Sequence, residues 1–274
     1  GSPFAQWNLG AKMAKGEYLW FAESDDFCES ELLENLVPLL DGNPQVGIAY
    51  AQSTLVDEAG EVKNSYLRNY EFVFPEYSWE EDFIINGREA CRKWLVFHNP
   101  IPNASAALIR KSAMKAVGDA NAEMRLNGDW HLYAKILTRY DLAFNSKHLN
   151  YFRVHSETQR ARARTRPQTY RELIFTNRYL AEHVPEAAEN ADLGLTQIAS
   201  WWMDNLYHYK WNAEVRKANR ELYKIFRKHK PRLAFHIGMT FGIKFSRSVL
   251  YHLRLLKPLK QMRHKLFPGK YFEY

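Results

Sequence analysis

Cysteine is almost missing from this chain: its 274 residues hold two, Cys28 and Cys91. Two thiols this far apart build no disulfide framework, and their spacing matches no cysteine-based metal site. They fit a reducing compartment. Long apolar runs are missing as well. A helix needs about 20 apolar residues to cross a bilayer. The longest candidate, Leu233 to Ile243, is broken by His236 and stopped by Lys244. No signal peptide pattern opens the chain, so a cytoplasmic setting is expected. Internal repeats and low-complexity tracts are also lacking, which sets aside repeat architectures. Acidic residues, finally, are nearly missing from one end. Val215 to Tyr274 contains 16 Lys or Arg against 2 Glu, a net +14, which leaves −7 on the rest of a chain whose total is +7. A neutral-to-acidic body with a basic tail is expected to meet two different partners.

What is present is globular in character. Hydrophobic residues make up 46% and charged residues 25%, both ordinary values for a packed domain. The length suits one large domain, or one domain with an appendage. Aromatics reach 15%, a density that suits sugar faces, membrane interfaces or plain core packing. Apolar periodicity predicts helices over Phe4–Lys15, from a Ser30 cap to Leu39, over Ala90–Val96, Lys111–Val117 and Asp129–Thr138. Strands are predicted at Tyr18–Ala22, Val46–Ala51, Ala104–Ile109, Leu142–Phe144 and Leu149–Val154. This alternation argues an α/β layer fold. After about Gln168 the pattern turns wholly helical, with helices expected at Gln168–His183, Thr196–Trp211 and Ala213–Lys228. A boundary near residue 160 divides the chain into an α/β part, 1–160, and a basic, aromatic-rich helical part, 161–274.

The first chemical signal follows the first strand. Glu23, Ser24, Asp25 and Asp26 stand where that strand ends, and open α/β sheets bind ligands beyond the carboxyl ends of their strands. Three carboxylates within four residues repel one another, and a cation or solvent must offset that repulsion. Oxygen ligands of this kind suit Mg²⁺ or Mn²⁺. The plain alternative is a solvated acidic loop ahead of a helix.

The run from Ala11 through Lys15-Gly16-Glu17-Tyr18-Leu19-Trp20-Phe21-Ala22 to Glu23-Ser24-Asp25-Asp26 resembles the family 2 glycosyltransferases of GT-A fold. There a helix leads into Ala-x-Gly-Glu-Tyr, an apolar strand and an Asp-x-Asp-Asp loop. The resemblance implies a mixed sheet flanked by helices, and a loop that binds the donor diphosphate through a divalent metal. Asp25 and Asp26 then fall on the metal and diphosphate positions. Glu23 stands where the family usually has Asp, its longer side chain still able to accept a ribose or metal contact.

Two further stretches carry the resemblance to about Thr158. Leu126-Asn127-Gly128-Asp129-Trp130 matches the pair that holds the family's catalytic base. Asp129 is then the base and Trp130 a wall of the acceptor site, whereas read alone Asp129 is equally an N-cap. Tyr151-Phe152-Arg153-Val154-His155 matches a Tyr-x-Arg-x-His segment, which implies a diphosphate role for Arg153 and a diphosphate or metal role for His155. By itself a lone His at a strand end is more often structural. Relatives begin with further βα units that hold the nucleoside, so the chain is expected to lack roughly 70–90 residues of that pattern, at about 30 per unit.

The implied activity is inverting transfer of a sugar from a nucleotide-diphosphate donor, expected to be a UDP-sugar, to a glycan or lipid-linked acceptor in cell-surface polysaccharide synthesis. The alternative is a non-catalytic glycan-binding or scaffold module. The basic tail is expected either to contact an anionic membrane surface peripherally or to pack on the body. Nucleic acid ranks below both, because no recognised nucleic-acid motif occurs.

Overall fold

A computed structural model of the chain describes residues 2–67, 70, 71, 74, 76, 78–154, 166–239 and 242. Its centre is a mixed sheet of seven strands: β1 (Tyr18–Trp20), β2 (Phe27–Cys28), β3 (Val46–Val56), β4 (Val62–Ser65), β5 (Phe83–Ile85), β6 (Ala107–Arg110) and β7 (Asp141–Arg153). The order is β1-β6-β3-β7-β2, with β4 added to β3 and β5 to β7. Only β3 and β7 run parallel; every other pairing is antiparallel.

Strand periodicity sorts the side chains into two layers. Ile48 and Tyr50 of β3, with Leu142 and Phe144 of β7, enter a large aromatic core that includes Trp79, Trp94 and Tyr133. Ala49, Ala51 and Ala143 face the other way, onto Leu32, Leu36 and Leu40 of the helix α2 (Leu32–Asp41). Trp79 stacks on Tyr70 at 4.2 Å and meets Phe144 edge-on at 5.3 Å. For these rings the high aromatic content serves packing.

The remaining α/β helices are α1 (Pro3–Met13), α3 (Gly87–Ala90, continuing as a wider turn over Cys91–Leu95), α4 (Lys111–Ala116) and α5 (Gly128–Leu137). Asn86 caps α3 as its spacing predicts, accepting the N–H of Arg88 and of Glu89. Ser30 does not cap α2: Glu31 occupies that position, and the Ser30 hydroxyl donates to the Glu31 carboxylate instead. The two strand segments expected at 142–144 and 149–154 are one strand, β7, with register shifts where it passes β3. Residues 104–106 form a 3₁₀ turn before β6. Strands β2, β4 and β5 are too short or too polar to show periodicity.

Three long helices follow: α6 (Pro167–His183), α7 (Pro185–Asn205) and α8 (Ala213–His229). The second starts ten residues or so ahead of the expected Thr196 because Pro185 supplies a favoured first-turn residue. Leu180, Val184 and Ala187 are buried in the same core as Trp94 and Tyr133. Asn177 donates to the Val96 carbonyl at 3.1 Å, and Asn190 to that of Arg92 at 2.9 Å. So α6 and α7 pack on the α/β layers. The basic stretch after residue 239 lies, but for Gly242, outside the described residues.

Close approach explains Gly194 on α7. A Cβ there would sit 2.2 Å from the Val96 carbonyl oxygen and 2.5 Å from the Asn177 amide. Gly194→Ala is expected to cost about 1–3 kcal/mol, the range for overpacking, read as a fall in thermal midpoint. His131 of α5 is another marker of the same contact. It is buried between the rings of Phe175 and Tyr179, each 5.1 Å away. Burial, aided by the charges of Lys135 and His183, pulls its pKa down to about 4. An unfolded His titrates near 6.5, so between those values the unfolded chain binds a proton that the folded chain refuses. Stability is therefore complete above pH ~6.5 and falls by up to about 3 kcal/mol as pH drops towards 4. Denaturant melts of wild type and His131→Gln across that window check it: the substituted chain should show a flatter profile.

Candidate active site

The acidic loop emerges beyond β1 and is held by side chains from two other segments. Asp26 is its anchor. Its Oδ2 accepts from the Asn103 amide and, at 2.8 Å, from the Ser105 hydroxyl. Its Oδ1 accepts the backbone N–H of Arg153 at 3.0 Å. The Glu23 N–H donates to the same Ser105 hydroxyl at 2.9 Å, so one serine ties both ends of the loop. Hydrogen bonds to a carboxylate are about twice as strong as neutral ones, and three of them on Asp26 fix the loop in place.

Arg153 holds the loop from the side. Its Nε donates to the Asp25 carbonyl at 2.7 Å, its Nη1 to the carbonyls of Asp57 and Glu58 at 2.9 and 3.0 Å. The guanidinium also lies 5.5 Å over the Phe27 ring. Its described contacts make it a loop clamp. Glu23 and Asp25 are exposed and Asp26 is half-buried. His155 falls outside the described residues.

Under the loop runs a buried polar seam to which no motif points. Asn150 donates to Ser53 at 2.8 Å and to Asn103 at 2.9 Å, and Asn103 passes the connection to Asp26. Asn150 and Ser53 are fully buried and Asn103 nearly so. Buried polar groups need partners; here they brace a charged loop from below.

Asp129 lies in the first turn of α5, whose cap position belongs to Asn127. The N-cap reading of Asp129 is thereby corrected. Its carboxylate sits where the helix dipole favours an ionised group. Gly128 before it is required by packing, because a Cβ would meet the Phe4 ring at 2.4 Å. Phe4 contacts Trp7 edge-on at 5.3 Å, and Trp7 stacks on Phe21 at 4.2 Å, just ahead of the acidic loop. Helix α1 thus joins the Asp129 turn to the Glu23–Asp26 loop through three rings. The buried Tyr133 hydroxyl is held well above its ordinary pKa first by burial, then by the negative charges of Asp129 and Glu23. Both acidic spots therefore act on one hydroxyl.

Trp130 donates its indole N–H to the Leu95 carbonyl at 3.1 Å and faces the His98 ring at 6.3 Å. His98 in turn meets Trp201 of α7 at 5.0 Å. Trp130 is half-buried and packs against both hydrophobic clusters. Among the described residues no group of three His, Cys, Asp or Glu converges in a ready metal cage.

Glu172 was not visible in the motifs. It is buried on α6, and its carboxylate accepts the consecutive N–H groups of Arg125, Leu126 and Asn127 at 2.9, 3.0 and 2.7 Å. Those residues lead directly into Asp129. Its only sequence sign is a Glu on the inner face of an amphipathic helix, where an apolar residue is expected.

Comparison with known proteins agrees with this architecture. Residues 2–174 match the family model described as glycosyltransferase like family 2. No curated protein matches the chain. Among solved structures, residues 1–349 of TarS from S. aureus in complex with UDP align with a TM-score of 0.52 at 16% identity, over 85% of this chain and 62% of that one. A longer TarS structure aligns with a TM-score of 0.50 at 14% identity, over 85% and 38% respectively. The chain thus spans about three fifths of the first of these relatives.

Replacing Glu172 by Gln removes the charge that three amides point at and turns an N–H donor towards one of them. The expected cost is on the order of 2 kcal/mol. Hydrogen exchange should show the amides of 125–127 losing protection beyond the global loss. Unchanged exchange at those amides would mean that the loop is held by something else.

Proposed function

The chain belongs to the glycosyltransferase-like family 2, a family with the GT-A fold, and from that premise we propose that it carries out inverting sugar transfer from a nucleotide-diphosphate donor. The acceptor is a glycan or a lipid-linked glycan. The observation that carries this reading is the aromatic bridge from Gly128 through Phe4 and Trp7 to Phe21, which keeps Asp129 and the acidic loop to one region.

Asp129 is the base. It takes the proton of an acceptor hydroxyl as that oxygen bonds to the anomeric carbon. The bond from that carbon to the diphosphate breaks on the opposite face, and the nucleoside diphosphate departs with the electron pair. One displacement inverts the centre, with no covalent intermediate. Positioning supplies much of the acceleration, and Gly128, Glu172 and the Phe4 ring position the base.

The loop residues suit a divalent cation. Asp25 and Asp26 are hard oxygen donors, and Mg²⁺ is commonly held by one or two carboxylates with the rest of its shell from phosphates and water. A pre-built cage of three protein ligands is therefore not needed. Such an ion supplies positive charge to the departing diphosphate. Asp26 keeps the loop in shape, while Asp25 and Glu23 present carboxylates at the surface. The UDP in the TarS structure supports a uridine nucleotide as the donor. The basic stretch beyond residue 239 suits the cytoplasmic face of an anionic membrane, where a lipid-linked acceptor would lie. Glu23, in place of the family's usual Asp, is the feature that favours the second reading, a non-catalytic glycan-binding module.

Asp129→Asn is expected to lower kcat by about 10²–10⁴, the usual contribution of a general base, with donor affinity kept. Chelation of divalent ions should remove nucleotide-sugar binding, and Mn²⁺ should restore it. Full turnover by the Asp129→Asn protein refutes the assignment of the base. Metal-independent binding of the donor refutes the role given to the loop.

A further inference from the structure

The helical region holds a cleft that the transfer chemistry leaves unused. It measures about 540 Å³ and opens between the end of α7, the segment after it and α8. Trp202 and Leu206 are its buried apolar members, and Trp211 is 46% exposed. The Trp202 indole N–H is tied to Asn219 of α8 at 2.6 Å, which holds the two walls together.

The α8 wall is Arg216, Arg220, Tyr223, Lys224 and Arg227. Steps of three and four residues place these on one helical face. At 1.5 Å rise per residue, the cations recur every 5–6 Å over roughly 17 Å. All four are exposed, and among the described residues none makes an ion pair. Among the described residues no Asp or Glu lines the cleft. Of the two acids on the same helix, Glu214 lies in its first turn and Glu221 is engaged by Arg171 of α6 at 2.5 Å. Like charges in a row repel, and an anionic occupant offsets that cost.

We propose that this cleft binds an acidic glycan chain bearing an anionic group in each repeat. A row of evenly spaced cations matches a repeating anion better than a single phosphate. Trp211 and Tyr223 add flat aromatic faces on which sugar rings can lie. A membrane is the poorer match: an interfacial helix projects its apolar face into the bilayer, whereas the apolar face of α8, with Ala218, Leu222 and Phe226, is buried against the helical region. The cleft and the Asp129 turn share one hydrophobic cluster. Trp202 belongs to the cluster against which Trp130, next to Asp129, is packed. That the occupant is a glycan rests on the transferase reading; that it is a polyanion rests on the cleft alone.

Binding to the full chain, with no donor sugar present, tests the proposal by calorimetry. The probes are an oligogalacturonate with one carboxylate per ring, a neutral malto-oligosaccharide, an oligothymidylate and phosphatidylglycerol vesicles. The oligogalacturonate should bind and the malto-oligosaccharide should not. Arg220→Gln with Lys224→Gln, and separately Trp211→Ala, should each weaken oligogalacturonate binding by roughly tenfold or more, about 1.4 kcal/mol. These side chains are exposed, and thermal melts should confirm that the variants remain folded. Equal binding of the neutral sugar overturns the proposal. So does indifference to Trp211→Ala, which would mark mere polyelectrolyte attraction. Preferential binding of oligothymidylate or of vesicles, lost in the same variants, overturns it in favour of those partners. Asp129→Asn should leave oligogalacturonate binding intact, so failure of the catalytic reading and failure of this one give different results.

Discussion

Asp26 gathers three stretches of chain that are far apart in sequence. Asn103 and Ser105 reach one of its oxygens, and the Arg153 amide reaches the other. Without those donors, three carboxylates in four residues would spread apart in water. With them, the loop has one shape, and its charge is displayed at one end of the sheet. The seam of Asn150 and Ser53 beneath it is the cost of that arrangement: polar groups are buried so that a charged loop has a rigid floor. This network connects β3, β7 and the segment before β6.

The Asp129 side is fixed by different means. Phe4 presses on Gly128, where no side chain fits, and passes through Trp7 to Phe21. Helix α1 therefore acts as a strut between two acidic segments more than 100 residues apart. Aromatic contacts suit this role because rigid rings transmit position with little loss of side-chain entropy. The polar seam and the aromatic strut together hold the two acidic segments at a fixed spacing.

The helices after residue 166 complete the site from outside the α/β layers. Glu172 holds the backbone leading into Asp129, Trp130 is shared between the two cores, and Gly194 lets α7 close onto Val96. The helical region is thus part of what positions Asp129. A chain cut at the change in composition near residue 160 would lose three hydrogen bonds to the 125–127 backbone. Its basic face on α8 lines the cleft in which we propose a polyanion binds.

Local pattern was enough for a good part of this. Period-2 and period-3.6 runs located most helices and the longer strands. The Ala-x-Gly-Glu-Tyr run with its acidic loop, and the Gly-Asp pair, carried the family. Those features depend on neighbours a few residues apart, so they are written in the order of the residues. The short strands β2, β4 and β5 were not legible, because three or four residues hold too little periodicity and their pairing partners supply the stability. Nor could the order of residues reveal that Asp26 is an anchor while Arg153 is a clamp, that Glu172 braces the segment leading into Asp129, or that Asp129 sits inside its helix with Asn127 at the cap. Each of those roles is a contact made across 45 residues or more, or a backbone geometry, and a side chain acquires such a partner only when the sheet and helices have brought the two segments within hydrogen-bonding range.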